Sequence, residues 1–204
     1  MNASEQPKLG LRERKKIKTR ETIQQHAIRL FREQGYSETT IEQIAEAAEI
    51  SPSTFFRYFP TKEALVLDDD YDPLLIQAFR EQPPGLSSIQ ALRNAVRSGL
   101  AEISEEGRKA ISERMLLAMN VPEVRAASFN QMMNTMRMLT ELLSARTGRT
   151  ADDFRVITFA GAVMGVFMST QTYSAAHLDE DYIKLFDQAL AQLEAGLPLP
   201  SANE

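Results

Sequence analysis

An all-α protein in two parts is predicted from three observations. Apolar residues recur at helical spacing, as at Ile41, Ile44, Ala45 and Ala48, which lie i, i+3, i+4 and i+7 on one face. Helix-start and helix-stop residues punctuate the chain wherever that spacing breaks, and no β-branched run of strand type intervenes. Charge is uneven: through Arg20, seven basic residues (Lys8, Arg12, Arg14, Lys15, Lys16, Lys18, Arg20) stand against Glu5 and Glu13, a local +5 within a total of −5. The remainder therefore carries −10. The length of 204 residues accommodates a small module of about 65 residues and a helical body of about 130, each of ordinary domain size. The expected division is a flexible basic arm over 1–12, a helix-turn-helix module over 13–67, a larger helical domain over 68–197 and a tail over 198–204.

The arm lacks periodicity, and its cations attract a phosphate backbone without reading sequence. No apolar segment follows it, so a signal peptide is not expected. From Arg14 the chain reads as a helix with Ile23, Ala27, Leu30 and Phe31 on one stripe and Gly35 as a left-handed stop. Thr39 or Thr40 then sits at an N-cap, with Glu42 or Gln43 completing a capping box, and a short amphipathic helix follows. Ser51-Pro52 starts the next helix, because Pro has no N–H to lose in a first turn and Ser supplies a capping hydroxyl. In that helix Phe55 and Phe59 lie four apart and share the buried face, which turns Ser53, Thr54, Phe56, Arg57 and Tyr58 elsewhere. A face needed only for solubility favours Glu and Lys. Hydroxyls, a guanidinium and aromatic rings near a helix start instead suit phosphates and base edges. Pro60 stops the helix, and Thr61-Lys62-Glu63 opens another with Lys62 in its first turn.

Together Gly35-Tyr36, TTIEQIAEAAEIS and TFFRYFPTKEAL resemble the DNA-binding domain of TetR-type transcriptional repressors, over roughly residues 13 to 67. The resemblance implies a dimeric regulator of double-stranded operator DNA. It implies that Thr40 caps the first helix of the motif near the DNA backbone, and that Thr54, Tyr58 and Lys62 hold phosphates. It also implies that Pro52, Ser53, Phe56 and Arg57 approach bases in the major groove, with Arg57 suited to guanine and Phe56 to a thymine methyl. The alternative is that Phe56 and Tyr58 pack against the following helix.

Beyond Leu67, breaks at Pro83-Pro84-Gly85, Gly107, Val121-Pro122, Thr147-Gly148 and Leu178-Asp179 divide the chain into five or six more helices. The Asp68-Asp69-Asp70-Tyr71-Asp72-Pro73 run reads as a solvated acidic face rather than a cation site, since successive side chains on a helix fan out by about 100°. Asp72-Pro73 also reads as a helix start, so the helix begun at Thr61 is expected to kink or restart there. Uncharged residues from Val156 to Leu178 reach membrane-spanning length, but Thr158 is polar and Ser169, Thr170, Gln171, Thr172, Ser174 and His177 make the second half too polar. A buried helix is expected instead. Gly161 and Gly165 form a small-xxx-small pair, and the amphipathic last helix carries Phe186 and Leu190; by the resemblance these two segments pair with their copies in a homodimer.

Met115, Met119, Met132, Met133, Met136, Met138, Met164 and Met168 fall on three predicted helices and suit an adaptable pocket for a small apolar ligand, with Arg114, Arg125, Asn130, Asn134, Arg137, Thr158, Gln171 and Tyr173 as polar groups that could orient its head. Ordinary core filling is the alternative. The DDYDPLL segment and the body behind it resemble the branch of the family associated with acyl-CoA-like ligands, which implies an acyl chain in the pocket and basic residues such as Arg93, Arg97, Arg108 or Lys109 on the phosphates. An enzyme is not expected. The two histidines, His26 and His177, have Ile23 and Ser174 three residues before them, not the Glu of a metal-bundle pair, and neither adjoins a nucleophile signature. No cofactor, metal or membrane partner is expected, and zero cysteines suit a cytoplasmic protein. The runner-up reading is a DNA-binding dimer without a ligand.

Overall fold

The computed structural model describes residues 11–68, 72–101, 103–177 and 179–199. The expectations for arm residues 1–10, for Asp69, Asp70 and Tyr71, and for tail residues 200–204 lie outside the described residues. Ten α-helices and no strand occur among the residues described, and the chain divides into two compact units, Met1–Val66 and Leu67–Glu204.

In the first unit, α1 (Leu11–Gln34) buries Ile23, Ala27, Ile28 and Phe31 and ends at Gly35, whose φ of 91° is one that an L side chain rarely adopts. The capping alternatives resolve in favour of Thr40 and Gln43. Thr40 accepts from the Gln43 N–H at 3.2 Å, Gln43 Oε1 accepts from the Thr40 N–H at 2.9 Å, and α2 (Ile41–Ala47) begins there. Thr39 is buried and donates its hydroxyl to the Gly35 carbonyl at 2.8 Å. Ser51 caps α3 (Pro52–Tyr58) through the Thr54 N–H at 3.1 Å. The turn between α2 and α3 passes through Glu49 at φ 54°, a left-handed position filled without glycine. After α3 the backbone becomes extended at Phe59, and α4 (Ala64–Leu67) follows.

Six helices make up the rest: α5 (Asp72–Arg80), α6 (Ser88–Gly99), α7 (Glu105–Asn120), α8 (Pro122–Thr147), α9 (Phe154–Ala176) and α10 (Tyr182–Glu194). Gly107 is not a break. It lies inside the first turn of α7, where its N–H donates to the Ser104 cap at 3.2 Å, a position at which the low helix propensity of glycine matters little. Gly148, at φ 69°, ends α8 as expected. The core of this unit joins Phe79, Val96, Leu139, Leu143, Ala160 and Leu190, with α9 packed against α7, α8 and α10, and α6 against α5 and α10. Gly99 is the glycine of close approach here: a Cβ added to it would lie 3.3 Å from Ala78 Cβ and from Leu75 Cδ2.

Charged side chains also fasten α6 to α10. Arg93 pairs with both Asp187 and Glu194, and Arg97 reaches Asp187 at 2.8 Å. Burial acts to raise the Asp187 pKa, but the hydrogen bonds from Arg97 and Arg93 outweigh it, and the carboxyl is held below its ordinary range. Glu194 is lowered chiefly by its hydrogen bond from Arg93. A carboxylate with a lowered folded-state pKa contributes stability above its unfolded pKa and loses it as pH falls through the folded one. The α6–α10 contribution is therefore expected to be full at neutral pH and to disappear only below the ordinary carboxylate range of about 4. Thermal midpoints of the wild type and Asp187→Asn should converge on acidification; a gap that persists below that range excludes the linkage.

Candidate nucleic-acid interface

The reading surface is built outward from two phenylalanines. Phe55 and Phe59 are fully buried with ring centroids 6.0 Å apart, and they anchor one side of the seven-residue helix α3. The helical period then projects Pro52, Ser53, Phe56 and Arg57 into solvent, with Thr54 and Tyr58 half-buried. Phe56 is 52 % exposed and meets Phe55 only edge-on, at 5.5 Å. That exposure counts against its being a packing residue, since an apolar ring left in water on so short a helix has no role in the core. The Arg57 guanidinium lies 5.4 Å from the centre of the Tyr58 ring, a contact that leaves its fork open to a base edge.

The hydroxyls at the start of α3 form a local cluster, with Ser51 Oγ at 2.9 Å from both Ser53 Oγ and Thr54 Oγ1. Thr40 is exposed at the start of α2. Lys15, Lys16 and Lys18 are exposed on α1, so part of the cationic segment lies on an ordered helix.

Lys62 is placed less simply than its spacing suggests. Its amine donates to the carbonyls of Tyr36 at 2.9 Å and Thr39 at 3.1 Å, and lies 4.1 Å from the centre of the Tyr36 ring. Beside it the Tyr36 hydroxyl donates to Glu63 at 3.0 Å. Burial acts to raise the Glu63 pKa, but its own backbone N–H and the Tyr36 and Thr61 hydroxyls bring it below the ordinary value. Lys62 thus braces the turn that precedes Thr40, and two of its three N–H groups are engaged within the chain.

The residues expected around an apolar ligand do not converge on one cavity. Met164 is buried in the core, Met115, Met119 and Gln171 are half-buried, and Met133, Met168 and Arg137 are exposed. Two clefts are described in this unit. One of about 390 Å³ is lined by Phe154, Arg155, Thr158, Phe159 and Ala162, and one of about 90 Å³ by Ile76, Arg80, Met138, Glu141, Leu142 and Ala145. Of the expected residues the larger cleft holds only Thr158 and the smaller only Met138. Three of the basic residues expected at phosphates are already paired with carboxylates of α10 or its N-cap: Arg93 and Arg97 as above, and Arg108 with the capping Asp181 at 2.8 Å. Arg114, another candidate ligand group, is buried and donates to the Asp68 carbonyl at 2.8 Å.

Of the expected interface residues, Gly161 and Gly165 lie on an exposed stripe of α9 and Phe186 is half-buried between Tyr182 and Phe167. Leu190 is a correction. It has no exposed surface and belongs to the core of its own chain, because it lies on the side of α10 that faces the bundle.

Comparison with known proteins gives this geometry a family. The family of bacterial regulatory proteins of the tetR type matches residues 23–68, and the MftR C-terminal domain matches residues 86–198. The HTH-type transcriptional regulator TcmR of Streptomyces glaucescens is 31% identical over 199 residues, covering 92% of this chain and 88% of TcmR. The structure of Thermus thermophilus FadR, a TetR-family transcriptional repressor in complex with lauroyl-CoA, matches with a TM-score of 0.54 and 27% identity over 91% of this chain and 98% of that one. Bacillus subtilis FadR in complex with stearoyl-CoA shares the fold, with a TM-score of 0.55 at 19% identity over 86% of this chain and 98% of that one. These families and relatives are regulators, not enzymes. The chain belongs to the TetR family of DNA-binding transcriptional regulators, with a helix-turn-helix domain followed by a helical C-terminal domain of the MftR type.

Proposed function

We propose that the protein is a repressor that binds a palindromic operator as a homodimer, reads bases with Arg57 and Phe56, and is released by a small apolar effector. The observation that carries the reading is the exposed face of α3, with Pro52, Ser53, Phe56 and Arg57 held outward by the buried pair Phe55 and Phe59. One short helix covers few base pairs, so a two-fold pair of them reading two half-sites supplies the discrimination that a single copy lacks. The surface of α9 supports the pairing. Phe154 is 81 % exposed, and Ile157, Gly161, Gly165 and Met168 continue the uncovered apolar stripe.

Arg57→Ala is expected to relax base preference at one position in each half-site, at about 1–3 kcal/mol per contact. Selection from a randomised duplex library reads this directly, and an unchanged preference removes Arg57 from base readout. Lys62→Ala is expected to weaken all duplexes alike, since it unfastens the turn before Thr40. A slope of log affinity against log salt shallower by about 0.9 would place its third N–H on a phosphate.

For the effector, an acyl-CoA is the class suggested by the lauroyl-CoA complex of T. thermophilus FadR. The pairing of Arg93, Arg97 and Arg108 within the chain favours a ligand whose apolar part dominates recognition, or the second reading, a DNA-binding dimer without a ligand. Native mass spectrometry of gently purified protein separates them. An acyl-CoA bound at about one per subunit, whose removal tightens binding to the library-selected duplex, is the expected result, by mutual exclusion of the two ligands. An empty dimer indifferent to acyl-CoAs overturns the effector class.

A further inference from the structure

Arg20 sits among the cations of the basic segment, yet its guanidinium is turned into the reader. Its Nη1 donates to the carbonyl of Tyr58 at 2.9 Å, and its Cζ lies 4.2 Å from the centre of the buried Phe59 ring. Tyr58 is the last residue of α3, and Phe59 is where the backbone turns extended. One turn along α1, Gln24 Nε2 donates to the Leu65 carbonyl at 2.9 Å. Two side chains of α1 therefore grip the chain on both sides of the α3–α4 turn.

The position is one where a cation has leverage. The last carbonyls of a helix lack intrahelical partners and carry the negative end of the helix dipole, and a guanidinium satisfies both while its flat face lies on an aromatic ring. A seven-residue helix gains little from its own propensity, so its last turn depends on outside contacts. That turn carries Phe56 and Arg57, the exposed residues at the base edges.

We propose that Arg20 is a positioning residue of DNA readout: it fixes the last turn of α3, and with it the aim of Phe56 and Arg57, without itself contacting DNA. The inference rests on the base-reading face described above, and its outcomes are distinct from failure of that reading, which the Arg57→Ala selection tests alone.

The test uses the full chain as wild type, Arg20→Gln and Arg20→Lys. Affinities are measured across a salt series for two probes: the best duplex that the wild type selects from a randomised library, and a mixed-sequence duplex of the same length. Arg20→Gln is expected to lower the ratio of selected to mixed-sequence affinity about tenfold or more, the scale of a lost hydrogen bond to a charged group, with an unchanged salt slope and relaxed preference at the bases assigned to Arg57. Arg20→Lys is expected to fall between, since an ammonium reaches the carbonyl but offers no plane to the Phe59 ring. A fall of both affinities together with a slope shallower by about 0.9 would show a phosphate ligand and overturn the proposal. So would a lowered melting temperature with the ratio and base preferences intact, which is the signature of a purely structural contact. If Arg20→Gln does not fold, Arg20→Lys is judged by the same ratio: lowered at constant slope supports the proposal, unchanged overturns it.

Discussion

Replacing Phe55 by alanine is expected to unfold the DNA-binding unit and abolish sequence-specific binding while leaving the Leu67–Glu204 unit helical. Phe55 is fully buried, packs its ring at a tilt against Phe59 and meets Phe56 edge-on, so its removal opens a cavity under the reading face. Truncation of a buried phenylalanine costs about 3–5 kcal/mol. A unit of this size buries only about 60% of the surface its unfolded chain exposes, and a typical total stability is about 5–15 kcal/mol, so the loss takes much of what is available. Hydrogen exchange followed by mass spectrometry checks the result by location: α1 to α4 should lose protection and α6 to α10 keep it. Wild-type protection in α1 to α4, with specific binding retained, would show that the unit tolerates the cavity.

The same two phenylalanines explain why so much of the reader is legible in the sequence. Two buried rings four residues apart, one in α3 and one at its C-cap, leave this short helix only one way to face the core, so exposure of Ser53, Phe56 and Arg57 follows from spacing. The Gly35 stop is legible for a similar local reason, its φ of 91° being open to little else. Glu49 breaks that rule by taking a left-handed turn without glycine, and nothing in its neighbours announces it. Long cations are harder still. Lys62 reads as a phosphate contact and Arg20 as one more cation of the basic segment, because spacing reports which turn a residue occupies and not where a flexible side chain ends. Their partners are the Tyr36, Thr39 and Tyr58 carbonyls, brought near by tertiary packing. Arg93, Arg97 and Arg108 repeat the lesson in the second unit, each paired with a carboxylate at least 73 residues away. Leu190 fails differently. Amphipathic spacing identifies the apolar face of α10 but not whether the chain's own bundle or a second copy covers it, and here the bundle covers Leu190 completely.

Gly165→Leu is expected to break the proposed homodimer without harming the fold of the single chain. The two glycines of the stripe are unlike Gly99, which lies against α5: a Cβ at Gly165 meets nothing within 4 Å, and one at Gly161 meets only Met136 Cε at 3.8 Å. Within one chain the substitution should even stabilise α9, since glycine in a helix interior is about 1 kcal/mol less favourable than alanine, with leucine close to alanine. The exposed apolar run Phe154, Ile157, Gly161, Gly165 and Met168 nonetheless needs a cover, and only a third of the most apolar window of α9 is buried by its own chain. In a two-fold pair each residue near the axis acts on both copies, so an overpacking penalty of about 1–3 kcal/mol per site enters twice. The dissociation constant should then rise by about 2–6 kcal/mol in free-energy terms. Sedimentation equilibrium over a dilution series checks this, with thermal unfolding of the same samples as the control for folding. A monomer of undiminished melting temperature that has lost binding to the two-half-site duplex is the expected outcome. An intact dimer of wild-type affinity would place the pairing surface away from Gly165 and leave the α9 stripe to some other cover.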